Sequence, residues 1–193
     1  MKLETERLIL REVKLSDVKE ITKKVNTLDV SRYLGVVPYP YSIKDAKWFI
    51  NKCLKDAKKE NRESYELAIE LKSENKIIGV ISLTKVSDFH KTATLGYWLA
   101  KDYWRNGIMK EACIEIINFG FNKLKLRRLN VKIYVVNIPS NSFIKKLGFN
   151  YEGTMIKSYK VKSTGKIHDE NIYGLLKEDW LKHKNRLLKE MQK

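Results

Sequence analysis

The pattern of apolar and polar positions up to residue 100 predicts four strands and two helices. The strands are predicted at Leu8–Val13, Tyr65–Leu71, Lys76–Leu83 and 92–100. The second alternates polar with apolar side chains, and the third is nearly continuous in apolar residues, as in a strand covered on both faces. One helix is predicted to begin near Ser16 and another to span Ile43–Lys59, with Ser42 as its N-cap.

The period of the apolar positions changes after residue 100. Apolar or small residues then recur every four positions, which predicts a helix over 107–125. The later predicted elements are a β-branched strand at Asn130–Val136, a short helix at Pro139–Leu147 ended by Gly148, two strands joined at Ser163–Gly165, and a helix from Glu178. The apolar positions of that last helix are Trp180, Leu181, Leu187 and Leu188.

These elements follow the order β-α-α-β-β-β-α-β-α-β-β, with one more helix at the end. The order predicts the α/β class, in the form of a mixed sheet with helices on both faces. No repeat, low-complexity tract or Pro/Gly linker divides the 193 residues, a length that suits one domain. We therefore expect one domain over 1–177 and a helical tail over 178–193.

Composition excludes several classes of protein. No stretch approaches the ~18 apolar residues of a membrane span, and the N-terminus lacks the apolar run of a secretory signal. We expect a cytoplasmic protein without a membrane partner. Cys53 and Cys113 are far apart and outside any C-x-x-C pair, which favours reduced thiols in the core. The three histidines show no metal-ligand spacing, so no metal is expected.

The formal net charge of +16 favours partners that carry negative charge. Nucleic acid, ribosomes, acidic peptides and the nucleotide of coenzyme A all qualify. The charge is spread along the chain, and neither an arginine-rich arm nor an aromatic-basic repeat is present. Specific nucleic-acid binding is therefore not expected.

The segment Trp104–Lys110 joins the predicted strand over 92–100 to the predicted helix over 107–125. A helix N-terminus presents unpaired N–H groups and a partial positive charge, which favour an anion and especially a pyrophosphate. Gly107 removes a Cβ where a phosphate would approach the backbone, and Arg105 and Lys110 add positive charge. The segment has one glycine and no G-x-G-x-x-G, so an ordinary turn with a basic rim is the alternative interpretation.

A second polar segment follows the next predicted strand. Asn137 and Ser140 stand between that strand and a short amphipathic helix, which places them beside the diverging end of the strand over 92–100. Residues of these types also cap helices, so capping alone is the alternative interpretation.

Together these segments resemble the GNAT acetyltransferase superfamily. Within it they are most similar to the branch that acetylates the N-terminal alanine or serine of ribosomal proteins. The resemblance rests on Glu4–Arg11, Gly96–Leu99, Trp104–Ala112, Asn137–Phe149, Glu152–Gly153 and His168–Tyr173. It covers most of the chain. It implies the GNAT fold: a mostly antiparallel sheet of six to seven strands, splayed at its two central strands, with helices on both faces and an extra C-terminal helix.

The resemblance implies acetyl-CoA as the cofactor, which is released as CoA. The pantetheine arm is expected between the strands near 95–100 and 131–136, and the pyrophosphate on the amides of Arg105–Lys110. The expected cofactor-binding residues are Tyr97, Trp98, Leu99, Trp104, Arg105, Asn106, Gly107, Ile108, Met109, Lys110, Asn137, Ser140, Phe143 and Lys146.

The resemblance also implies direct attack of a free amine on the thioester. A backbone N–H near Leu99 is expected to stabilise the charge that develops on the thioester oxygen. Many family members protonate the departing thiolate with a tyrosine, but Ile144 occupies that position here. Ser140 is therefore the expected acid, with Asn137 orienting cofactor or water.

Departures from the family pattern leave the general base unassigned. Thr94 stands where many relatives have a glutamate, and Arg105 and Met109 replace small residues of the family's loop. The candidate bases are Glu70, Glu152, Asp169 and Tyr159. The aromatic residues that border the expected acceptor side are Tyr33, Tyr39, Tyr41 and Trp48.

The expected acceptor is the α-amino group of a protein, with ribosomal association implied by the branch, and the enzyme is expected to be a monomer or homodimer. An α-amino group has a pKa of about 8 and needs little help from a base at neutral pH. The alternatives are acetylation of a small amine, such as a polyamine or aminoglycoside, and a non-catalytic acyl-CoA-binding protein. A protein this basic should repel polyamines unless its cleft is locally acidic.

Overall fold

The computed structural model describes residues 1–191, and within them the strands form a single sheet. The strands are β1 (Lys2–Glu4), β2 (Leu8–Glu12), β3 (Ser64–Leu71), β4 (Lys76–Ser87), β5 (Thr92–Leu99), β6 (Arg128–Tyr134), β7 (Asn150–Lys160) and β8 (Ile167–Leu176). Their order across the sheet is β1-β2-β3-β4-β5-β6-β8-β7. All neighbours are antiparallel except β5 and β6, which run parallel. The predicted mixed sheet is confirmed, with β1 as an additional strand.

Helices cover both faces of the sheet, as predicted. They are α1 (Val18–Val25), α2 (Leu28–Ser31), α3 (Ile43–Asp56), α4 (Ile108–Asn122), α5 (Ile138–Lys146) and α6 (Lys177–Met191). α1 and α3 enclose one apolar cluster with residues such as Ile21 and Ile50. α4, α5 and α6 enclose a larger one, which includes Ile116, Ile144 and Trp180. Within the described residues, no helix is long and apolar enough to cross a membrane.

Several predicted boundaries were wrong by a few residues. β6 ends at Tyr134 rather than Val136, because Val135 and Val136 form a turn and the side chain of Val136 is 53% exposed. α3 ends at Asp56 rather than Lys59, and α4 spans 108–122 rather than 107–125. The predicted Ser42 cap is confirmed, since its hydroxyl accepts from Asp45 N at 3.2 Å.

The C-terminal helix packs against the core of the remaining chain. Trp180 is 1% exposed, and its indole N–H donates to Asn118 Oδ1 of α4 at 3.0 Å. Leu187 is also buried, whereas the predicted apolar position Leu188 and residues 192–193 of the predicted tail lie outside what the structure describes. The division of the chain at 177/178 stays a prediction.

A cleft opens in the middle of the sheet, where β5 meets β6. The two strands pair at three positions, and the last pair is Thr94 with Asn130. Beyond it, β5 continues along β4 as far as Leu99, and β6 continues along β8 as far as Tyr134. The strands therefore diverge, as predicted. We call the space between Leu95–Leu99 and Val131–Tyr134 the cleft.

Candidate active site

The segment between β5 and α4 places an exposed helix N-terminus beside the cleft. A 3-10 turn over Lys101–Tyr103 leads to Gly107, the N-cap of α4, whose φ of +73° is left-handed. Arg105 is also left-handed, with φ of +64°. The amides at the N-terminus of a helix have no acceptor within the helix and carry its partial positive charge, and in α4 they begin at Ile108. The predicted anion-binding residues are thus gathered at one helix end, and Trp104–Gly107 are exposed.

The hairpin turn between β1 and β2 anchors this helix end. Glu111 of α4 is 3% exposed and accepts from Arg7 N at 2.9 Å and from Arg7 Nε at 2.7 Å. Arg7 Nη1 also donates to Asn106 O at 3.0 Å, and so contacts the loop itself. Burial by itself would raise the pKa of Glu111, but the hydrogen bonds from Thr5 and Arg7 outweigh it and hold that pKa below its ordinary value.

Sequence reasoning missed this anchor. The available signal was Glu111 itself, a lone carboxylate in an otherwise apolar helix, because such a residue needs a partner when it is buried. The partner was not visible, since Arg7 lies 104 residues away in the sequence.

The three predicted cofactor-binding residues of β5 divide between the two faces of the sheet. Tyr97 and Leu99 pack with the cluster around α4, whereas Trp98 packs with the cluster around α1 and α3. The Trp104 indole N–H donates to Leu99 O at 2.7 Å and thereby ties the loop to the end of β5.

A pair of hydroxyl groups bridges the two sides of the cleft. Tyr97 Oη lies 2.7 Å from Ser140 Oγ of α5. The ring of Phe143 packs edge-on against Tyr97, with 5.7 Å between centroids. Burial raises the pKa of Tyr97, so its hydroxyl keeps its proton at neutral pH and can donate to Ser140. Ser140 can then donate its own proton to a third group.

Two asparagines fix the start of α5 against the sheet. Asn137 caps the helix, since its Oδ1 accepts from Ser140 N at 3.3 Å. Asn141 is 7% exposed and donates to Tyr134 O and Asn137 O at 2.9 and 2.8 Å. Its Oδ1 accepts from Asn171 and Tyr173 of β8 at 2.8 and 2.7 Å. Sequence reasoning found the cap and missed Asn141, which links the helix to two strands.

Lys146, the remaining predicted cofactor-binding residue, is separate from the hydroxyl pair. It is the last residue of α5 and is exposed. It lies six positions after Ser140, or about 9 Å along a helix axis. The two residues can therefore contact only different parts of a long ligand.

Each of the four candidate bases has a contact within the protein. Glu70 accepts from Arg11 Nε at 2.6 Å, and Glu152 is paired with Arg128. Asp169 Oδ1 accepts from Lys157 N at 2.6 Å, and the Tyr159 ring packs on Tyr134 with 6.0 Å between centroids. Thr94, at the base of the cleft, is not titratable. The three candidate carboxylates thus have partners within the protein, whereas the contact of Tyr159 is made by its ring.

The other candidate residues have mixed outcomes. Tyr41 is 7% exposed and packs in the α1–α3 cluster, whereas Tyr39 and Trp48 are exposed.

Cys53 and Cys113 are free and buried, as predicted, and burial raises the pKa of both thiols, which disfavours a thiolate nucleophile. Within residues 1–191, no group of three or more His, Cys, Asp or Glu side chains is placed to hold a metal ion.

Comparison with known proteins gives consistent matches. A model of the acetyltransferase (GNAT) domain matches residues 7–150. The uncharacterized N-acetyltransferase YoaA of Bacillus subtilis is 30% identical over 175 residues, which are 91% of this chain and 96% of that protein. The ribosomal-protein-serine acetyltransferase of Escherichia coli is 32% identical over 95 residues, 49% of this chain and 53% of that protein. The crystal structure of the microcin C7 self-immunity acetyltransferase MccE, in complex with acetyl-CoA and AMP, has a TM-score of 0.77 at 26% identity and covers 89% of this chain and 93% of that one.

Proposed function

The chain belongs to the GNAT family of acetyltransferases, and from this premise we propose that it acetylates the α-amino group of a protein. Membership makes it an acetyl-CoA-dependent N-acetyltransferase.

The residues around the cleft fit acetyl-CoA. The first-turn amides of α4 suit a pyrophosphate, and Gly107 leaves room there, because a Cβ on it would meet nothing closer than Arg7 Nη2 at 3.5 Å. The backbone groups of β5 and β6 that face the cleft are not paired with each other beyond Thr94 and Asn130, and they suit the amides of a pantetheine arm. When bound, acetyl-CoA supplies an activated acyl group with a thiolate leaving group.

The protein's own residues then have distinct tasks. In the proposal, Ser140 Oγ donates a proton to the leaving sulfur, and Tyr97 orients Ser140 by donating to it. A backbone N–H near Leu99 stabilises negative charge on the acyl oxygen. Asn137 holds the first turn of α5, and with it the main chain of Ser140.

The state of the candidate bases is the observation that carries the choice of an α-amino acceptor. Glu70, Glu152 and Asp169 are paired with polar groups of the protein, the ring of Tyr159 packs on Tyr134, and Thr94 stands where many relatives have a glutamate. At neutral pH about a tenth of an α-amino group with a pKa near 8 is already the free base, against well under a hundredth of a lysine side chain. An α-amino group therefore needs less help from a general base than a lysine side chain does.

A ribosomal protein is the acceptor that the similarities support. The Escherichia coli relative carries that activity in its name, and a net charge of +16 favours encounter with the polyanionic ribosome. Such an acceptor also implies that the enzyme works in the cytoplasm.

The test is turnover with a panel of amines. Purified protein and acetyl-CoA are incubated with peptides that have a free or a blocked N-terminus, with polyamines and with aminoglycosides, and both CoA thiol and product mass are measured. We expect acetylation at the α-amino group of free peptides. Acetylation confined to lysine side chains or to small amines would show that the proposed acceptor is wrong.

A further inference from the structure

We infer that Tyr134 and Glu170 form a cation-binding subsite beside the cleft, which binds a second positively charged group of the acceptor. This inference deepens the proposed function and rests on it, since the acceptor is the amine that is acetylated in the cleft.

The two residues are direct neighbours across β6 and β8 at the open end of the cleft. Tyr134 is the last residue of β6 and pairs with Glu170. Their side chains lie on the face opposite α4, because the preceding residue Ile133 packs in the α4 cluster and side chains alternate along a strand. In the proposed function, the acceptor approaches from this face a cofactor bound at the N-termini of α4 and α5.

The segment between α2 and α3 covers the subsite. A Cβ on Gly35 would lie 2.7 Å from Tyr134 Oη and 2.3 Å from the Tyr159 ring, so the backbone approaches both rings closely. Gly35 O accepts from Lys162 N at 3.0 Å, which fixes the segment over the hairpin of β7 and β8. The subsite therefore lies between β6 and β8 on one side and the backbone at Gly35 on the other.

Glu170 differs from the other buried carboxylates of the described chain in its partner. Asp17 and Glu111 are each paired with an arginine, Arg11 and Arg7. Glu170 is 7% exposed and accepts from the neutral hydroxyl of Ser158 at 2.9 Å, and no ion pair with a described lysine or arginine reaches it. A buried carboxylate without a cation is costly, and that cost is offset when a ligand supplies the cation.

Tyr134 supplies the second observation. It is 6% exposed, and its hydroxyl lies against the backbone of Gly35. Its ring lies 6.0 Å from that of Tyr159 and 5.3 Å from that of His168, centroid to centroid. A carboxylate among aromatic rings is the arrangement that binds ammonium and guanidinium groups.

The position of β8 indicates which positive charge is bound. β6 separates β8 from the cleft, and neighbouring strands lie about 4.8 Å apart. Glu170 is therefore beside the reacting amine rather than at it. The subsite fits an acceptor with a second cation close to its amine, supplied either by a basic side chain near a peptide N-terminus or by the far end of a diamine.

The experiment compares acceptors that differ in that second charge. One pair is two peptides with lysine or norleucine next to an N-terminal serine, and the other is a short diamine and the monoamine of the same chain length. We expect wild type to have the lower KM for the charged member of at least one pair. Glu170→Gln, which retains the contact with Ser158, should raise that KM roughly 10- to 100-fold and leave kcat and the uncharged acceptors nearly unchanged. An effect on the peptide pair would identify a basic side chain as the source of the cation, and an effect on the amine pair would identify a diamine.

Controls separate the subsite from the fold and from the proposed function. Glu60→Gln removes an exposed carboxylate and should change the KM of neither the charged nor the uncharged acceptor. Tyr134→Phe should give a smaller increase than Glu170→Gln, with an unchanged thermal midpoint. Equal losses for charged and uncharged acceptors, or no loss, would overturn the subsite. If wild type releases no CoA with any acceptor, the proposed function fails, and calorimetric binding of the lysine peptide and the diamine to wild type and Glu170→Gln still decides the subsite.

Discussion

Tyr97 Oη and Ser140 Oγ lie 2.7 Å apart and join β5 to α5 across the cleft, above the last paired residues of β5 and β6. The contact makes the orientation of Ser140 depend on a strand that is 43 residues distant in sequence. It also places a protonated tyrosine at a cleft in which the family's usual tyrosine position is Ile144. The structure thus places a tyrosine hydroxyl of β5, rather than one of α5, beside Ser140.

Tyr97→Phe should lower kcat about 2- to 10-fold, the value of one neutral hydrogen bond, and change the KM for acetyl-CoA less than about twofold. The ring and its packing on Phe143 remain, so the effect isolates the hydroxyl. Steady-state kinetics of CoA release provide the measurement. Tyr151→Phe is the matched control, because Tyr151 Oη also lies 2.7 Å from a hydroxyl, that of Thr154, but on β7. Similar losses in both variants would contradict a role for Tyr97 in orienting Ser140.

Gly107→Ala should raise the Kd for acetyl-CoA about tenfold. Alanine at the φ of +73° costs about 1–2 kcal/mol, and relief of that strain would displace the amides that we propose to bind the pyrophosphate. Calorimetric titration measures the Kd. Gly165→Ala has the same backbone cost at a φ of +68° in the β7–β8 turn, where a Cβ meets nothing within 4 Å, and should lower stability without changing the Kd. An unchanged Kd in Gly107→Ala would show that this loop does not bind the pyrophosphate.

Asn137→Ala should lower the free energy of unfolding by about 1 kcal/mol, the usual value of an N-cap, and raise the Kd for acetyl-CoA severalfold. The cap orders the first turn of α5, which carries Ser140. Denaturant unfolding and calorimetric titration measure the two effects. Ser42→Ala removes the cap of α3, away from the cleft. It should lower the free energy of unfolding without changing the Kd for acetyl-CoA. An unchanged Kd in Asn137→Ala would contradict a role for this cap in positioning residues that bind the cofactor.

Glu111→Gln should destabilise the protein at neutral pH and progressively less as the pH falls. The pKa of Glu111 is held below its ordinary value of 4.5, so the stabilisation by its ion pair is complete above that value and is lost as the pH falls through the lower, folded-state pKa. The difference in Tm between wild type and variant should therefore be largest near neutral pH and shrink in acid. Glu60→Gln should show no such trend, and a difference that is constant with pH would mean that the charge of Glu111 is not what anchors the loop.

The parts of the fold that the sequence predicts are those with a local period. The alternation in 65–71 and the four-residue repeat in 108–120 identify β3 and α4. β1 and α2 have three and four residues, too few to show a period. The end of β6 was wrong because Val135 and Val136 prolong a β-branched run, whereas the turn there is fixed by Asn141.

The candidate site divides in the same way. The loop at Gly107 and the residues Asn137 and Ser140 lie in short segments with a recognisable order, and the sequence predicts them. The pairs Arg7–Glu111 and Tyr134–Glu170 each join distant segments, so no local pattern contains them. Pairs of this kind depend on how the strands and helices are placed against each other, which is a property of the assembled fold.

The short pairing between β5 and β6 leaves the sheet incomplete at its centre rather than at its edge. A ligand whose own amides lie in the cleft acts as a missing strand, and its binding free energy then adds to that of folding. Starvation for acetyl-CoA would leave more molecules with an open centre, which proteases cleave more readily.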